Sequence, residues 1–173
     1  SVLFHKSMML LVFVLILTMI NNNYKFYLKL WFLSIPLSLF LGNFWSMLFT
    51  KLGFADDRLS AYLSGTKDAA IQSLGFRWDF LIYGSAAVYA GYYFIVKKEF
   101  KDPHYIRLFN LYLITNAFWI LVIRANFSNR FAYLSWFMMA LVIIYPLLRH
   151  KLVKNQNLFV GKIMLVYFSF TYF

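Results

Sequence analysis

The stretch Arg124-Ala-Asn-Phe-Ser-Asn-Arg130 joins two apolar runs and is short, polar and rich in hydrogen-bond donors. If Ser128 or Asn129 caps the helix that follows, Arg130 falls in its first turn, where the helix dipole disfavours a cation by about 0.3–1 kcal/mol. A cation placed there calls for an anion. The free backbone N–H groups of a helix start, with Arg130 and Arg124, would together hold a phosphate or diphosphate. The competing reading is that both arginines meet lipid headgroups, or pair with Asp56, Asp57 or Asp79.

A second polar concentration runs from Thr50 to Arg77. With Asp79 just beyond it, this region holds Asp56, Asp57, Asp68 and Asp79, four of the six acids in the chain. Ala55, Leu59, Tyr62 and Leu63 recur at helical spacing. Gly65-Thr66 supplies a helix stop and a new N-cap ahead of Ala69, Ala70, Ile71 and Leu74. Two short interfacial helices are expected here, with Arg58 and Tyr62 on one face and Asp57 beside them. A solvated amphipathic loop whose charges meet headgroups fits the same residues. Arg77 and Asp79 open the next apolar run.

Other chemistries find little support. There is no Cys, and His5, His104 and His150 are scattered without metal-ligand spacing. Asp56 and Asp57 are neighbours and do not point the same way on a helix. No metal site and no cofactor are expected. No Ser-His-Asp set, P-loop, dinucleotide fingerprint or Asp-x-Asp site is present.

The elements that must position these residues follow from composition. The 173 residues are 62% hydrophobic and 13% charged, against about a quarter charged in soluble domains, which places the chain in a membrane. A helix needs about 20 mostly apolar residues to cross the hydrocarbon core. That criterion selects Val2–Ile20, Leu30–Phe49, Trp78–Val96, Tyr105–Ile123, Phe131–Leu148 and a run from Leu158 onward. The expected fold is all-α: a polytopic integral membrane protein of about six spans with a short amphipathic outer loop, in a single transmembrane domain over 1–173. The chain starts at Ser1 and ends inside an apolar run, so it reads as part of a longer protein. Pro36 is expected to kink the second span, and Pro146 to disturb the fifth less. Gly84-Ser85-Ala86-Ala87, Asn110 and Asn116 mark helix contacts.

Orientation follows from cations in alternate connections. One side holds Lys25, Lys29, Lys97, Lys98, Lys101, Arg107, Arg149, Lys151, Lys154 and Lys162 against Glu99 and Asp102. The other holds Lys6, Lys51, Arg58, Lys67, Arg77, Arg124 and Arg130 against four Asp. The first side is therefore expected to be cytoplasmic and the arginine cluster external. The net charge of +11 is dispersed over short loops, which suits lipid headgroups and not nucleic acid.

Three stretches resemble a known family: Gly75-Phe-Arg-Trp-Asp-Phe-Leu-Ile-Tyr83, Asn110-Leu-Tyr-Leu-Ile-Thr-Asn-Ala-Phe-Trp119, and above all Phe127-Ser-Asn-Arg-Phe-Ala-Tyr-Leu-Ser-Trp136. From about Asp56 to Phe173 the chain looks like the C-terminal half of the EpsG family, bacterial polytopic proteins of exopolysaccharide and O-antigen clusters regarded as Wzy-like polymerases. Arg130 and Tyr133 match the family element. Arg58 and Tyr62 match an outer-loop Arg and Tyr less closely.

The resemblance implies glycosyl transfer at the outer face of the bacterial cytoplasmic membrane, from a polyprenyl-diphosphate-linked oligosaccharide to another lipid-linked unit, with other polysaccharide export proteins as partners. Arg130 and Arg124 would stabilise the departing diphosphate without a metal, and Asp57 or Asp79 would take the acceptor proton. Arg58, Tyr62, Arg77, Asn126 and Tyr133 would contact substrate. Two alternatives stand beside this reading: a non-catalytic subunit or translocator of lipid-linked sugars, and a polysaccharide O-acyltransferase.

Overall fold

The structure is a computed structural model that describes residues 8–51, 76–124, 129–152 and 154–172. Among the described residues there are six α-helices and no strand: α1 (Met8–Ile20), α2 (Tyr24–Lys51), α3 (Trp78–Tyr92), α4 (Pro103–Leu121), α5 (Asn129–Arg149) and α6 (Gln156–Tyr172). A π-helical turn, Tyr93–Lys97, continues α3. The helices fall where hydropathy places the spans. Three contain segments long and apolar enough to cross a membrane: Tyr24–Gly42, Trp78–Lys97 and Ala132–Arg149. The residues proposed above as interfacial helices, through Gly75, lie outside the described residues.

Helix ends are set by local chemistry. Asn23 receives the amide of Lys25 on its side-chain oxygen at 3.1 Å and so starts α2. Asp102 caps α4 by accepting from the amides of His104 at 2.8 Å and Tyr105 at 3.4 Å, with Pro103 in the first position, where its missing N–H costs nothing. Glu99 adopts φ 52 between the π turn and α4. There the chain reverses, and Phe100 N–H donates back to the carbonyl of Phe94 at 3.0 Å.

The centre of the bundle is α4, against which α1, α2, α3 and α5 all pack. Tyr105, Phe109, Tyr112, Leu113, Trp119 and Ile120 are fully buried on it. Between helices in lipid, association rests on close packing and hydrogen bonds, because the solvent is as apolar as the side chains. Both devices appear. A Cβ on Gly91 would collide with the ring of Phe109, and one on Gly84 would lie 3.1 Å from the Asn116 side chain; these two glycines let α3 lie close to α4. The indole N–H of Trp31 on α2 donates to Asn116 Oδ1 at 2.8 Å, and Asn116 Nδ2 donates to Ser135 Oγ on α5 at 3.2 Å. Tyr112 donates its hydroxyl to the carbonyl of Gly84 at 2.6 Å. Four helices thus meet in one buried polar node.

Of the residues expected at helix contacts, Gly84, Ala87, Asn110 and Asn116 are buried, whereas Ala86 is exposed. The expected kink is also displaced. Pro36 lies inside α2, but helical geometry is lost at Leu41 (φ −123, ψ 21). The side chain of Arg124 meets α2 there, and a side chain entering the backbone ladder is itself a cause of kinking.

Candidate functional site

Arg124 lies just past the C-terminus of α4. A tight turn carries the chain there, with Val122 N–H donating to the carbonyls of Phe118 and Trp119, and Ile123 N–H to that of Ile120. The turn aims the guanidinium at α2, where Arg124 Nη2 donates to the carbonyl of Leu39 at 3.3 Å. A Cβ on Gly42 would come within 2.9 Å of Arg124 Cδ, so glycine leaves the space that the side chain fills. Arg124 Nε is buried and has no hydrogen-bond partner among the described residues. A buried donor of a charged group without an acceptor is costly, and an anion arriving at this point would relieve it.

Arg130 is the second residue of α5, within its first turn as the capping argument requires. Only four residues outside the described set, 125–128, separate the turn that ends at Arg124 from the start of α5. The end of α4 and the start of α5 are therefore tethered close together, one carrying Arg124 and the other Arg130. Asn126 lies in that short stretch. With Asp57, Arg58 and Tyr62, it falls outside the described residues.

The other proposed residues form a separate but continuous patch. Arg77 donates to both oxygens of Asp79, Nε at 3.2 Å and Nη2 at 2.8 Å, and its guanidinium carbon stands 3.8 Å from the ring centre of Phe80. The ring of Phe80 meets Trp136 edge-on at 5.1 Å, and Tyr133 meets Trp136 at 6.0 Å. Tyr133 itself is 63% exposed. Aromatic packing thus connects Arg77 and Asp79 on α3 to Tyr133 on α5, with Trp119 of α4 behind at 5.9 Å from Trp136. Asp79 occupies the first turn of α3, where a carboxylate suits the helix dipole. Its two oxygens are engaged by Arg77, which leaves it a fixed half of an ion pair and not a free base.

The indole N–H groups of Trp119 and Trp136 are buried without hydrogen-bond acceptors among the described residues. Edge-to-face neighbours lie against both rings. No group of three or more His, Cys, Asp or Glu capable of holding a metal occurs among the described residues.

Three features escaped the sequence reading. The docking of Arg124 on α2 left no local trace. The node around Asn116 was read only as a helix contact, without its partners. The capping of α4 by Asp102 was legible in principle, since Asp followed by Pro is an N-terminal signature.

The model of the EpsG family matches residues 1–173, the whole chain and not only the part from Asp56 onward. No curated protein and no solved structure matches.

Proposed function

The chain belongs to the EpsG family, and from that premise we propose that it is a polymerase-like glycosyltransferase of the bacterial cytoplasmic membrane. It joins lipid-diphosphate-linked oligosaccharide units at the outer face. The observation that carries this reading is the position of Arg124: its guanidinium is inserted beside the break in α2 with a buried Nε that has no acceptor among the described residues, one short connection before Arg130 in the first turn of α5.

In this reaction the acceptor hydroxyl oxygen bonds to the anomeric carbon of the donor sugar as the bond from that carbon to the diphosphate oxygen breaks. The electron pair leaves with the diphosphate, and charge grows on its oxygens. Arg130, the helix N–H groups beside it and Arg124 are the donors that meet that charge. The hydroxyl proton passes to a carboxylate. Asp57 is the better base, because Asp79 is engaged by Arg77. Tyr133, with its exposed ring on the aromatic patch, presents a face for sugar stacking, and Arg58, Tyr62, Arg77 and Asn126 contact the polar parts of the substrate.

The test is the polysaccharide ladder from cells making each variant at matched membrane levels. Arg130→Lys is expected to leave insertion intact and abolish most chain extension, since Lys lacks the planar fork that grips two phosphate oxygens. A full-length ladder from Arg130→Gln would overturn the catalytic assignment and favour a translocator. The orientation has its own check: single cysteines at Ser64 and Asn155 should label from opposite sides, Ser64 from outside intact cells.

A further inference from the structure

At the end of the bundle away from Arg124, the connection between α3 and α4 meets the turn between α5 and α6. Lys98, Lys101 and Lys151 rim the cleft between them, and Phe100 and Leu152 form its apolar side. Among the described residues none of these lysines is in an ion pair.

The two carboxylates nearby do not cancel the charge. Asp102 is committed: one oxygen accepts from the amides of His104 and Tyr105, and the other from the Tyr145 hydroxyl at 3.1 Å. Its negative charge remains, so three lysines stand against Glu99 and Asp102 and the cleft keeps an excess of one cation, with Lys98 Nζ also 5.8 Å from the centre of the Tyr93 ring. Helix electrostatics explains part of the arrangement, since Lys98 follows the C-terminal end of the α3 π turn and Lys151 follows that of α5, where cations are favoured. It does not explain Lys101, which stands just ahead of the N-terminus of α4, where a cation is disfavoured.

The walls are fixed before any ligand arrives. The hydroxyl of Tyr145 ties α5 to the cap of α4, and the Phe100 ring lies between Tyr105 at 5.2 Å and His150 at 5.5 Å. Gln156 closes the other wall by accepting from the amide of Leu152 at 2.8 Å and donating to the carbonyl of Leu147. Two of the segments long and apolar enough to cross a membrane, Trp78–Lys97 and Ala132–Arg149, end at this cleft, and the end of such a segment is where lipid headgroups lie.

We propose that this cleft binds the phosphate of an anionic phospholipid headgroup, with the three lysines on the phosphate and the acyl-proximal part of the lipid against Phe100 and Leu152. A soluble phosphate offers the same anion without the apolar part, and the experiment separates the two. Native mass spectrometry of the full chain released from nanodiscs should show phosphatidylglycerol retained and phosphatidylcholine lost. The triple variant K98Q/K101Q/K151Q, altered only at exposed side chains, should retain at least about tenfold less phosphatidylglycerol, while K25Q/K29Q retains it as before. Equal retention by the triple variant, or equal retention of phosphatidylcholine, overturns the site. Lysine-dependent binding of inorganic phosphate in phosphatidylcholine nanodiscs, with no retention of phosphatidylglycerol, would overturn the lipid as the source of the anion.

Discussion

The guanidinium of Arg124 donates to the main-chain carbonyl of Leu39 across the place where α2 stops being helical. A cation that has left the C-terminus of one helix thus occupies the backbone of another, and the absent side chain of Gly42 makes room for it. The two helix ends and the arginine behave as one unit, so changes to any of them should be non-additive.

Gly42→Ala is expected to destabilise the protein by about 1–3 kcal/mol, because the new methyl group overlaps Arg124 Cδ. The same substitution on an Arg124→Ala background should cost less, with a coupling of about 0.5–3 kcal/mol. Thermal unfolding in detergent of both single variants and the double variant measures it. Strict additivity would mean that the contact carries no energy.

Asn116→Leu should leave the buried N–H of Trp31 without an acceptor and cost about 1–3 kcal/mol. Trp31→Phe on that background removes the orphaned donor and should cost little more. An Asn116→Leu protein with unchanged unfolding temperature would show that the node is energetically idle.

Gly91→Ala drives a methyl group into the ring of Phe109, which is fully buried. Backbone separation of α3 from α4 is the only large relief, so a loss of about 1–3 kcal/mol is expected. Phe109→Leu should suppress part of it by giving up ring volume at the contact. If the double variant is as unstable as the two losses combined, the proposed collision is not the cause.

Asp102→Ala should cost about 1 kcal/mol through the lost cap on α4. The Asp102 carboxyl sits below its ordinary value: partial desolvation pushes it up, but the amide of His104, the hydroxyl of Tyr145 and the amide of Tyr105 together outweigh that. A carboxyl depressed in the folded state contributes stability that is present above its unfolded value, about 3.9, and lost as pH falls through the folded value. Unfolding temperature followed from neutral pH to below that range should therefore decline more steeply in the parent than in the alanine variant. Parallel curves would refute the assignment.

The local composition of the chain settles much of its architecture. Runs of apolar residues at membrane-spanning length mark the helices, and the polar stretches between them mark the ends, because hydropathy and capping act within a few residues of sequence. The place of Arg130 in the first turn of a helix was likewise legible, since it depends only on where an apolar run begins. Which helix meets which was not. All six helices are apolar on most faces, and lipid competes equally for those faces, so partners are chosen by sparse features such as Gly91 against Phe109 or Asn116 between Trp31 and Ser135. Pro36 shows the same division: its lack of an N–H is a local fact, but the break formed at Leu41, where an arginine distant in sequence arrives. The pairing of Arg77 with Asp79 and the capping of α4 by Asp102 are local, each within three residues, whereas the hydroxyl of Tyr145 on the other oxygen of Asp102 is brought there only by tertiary placement.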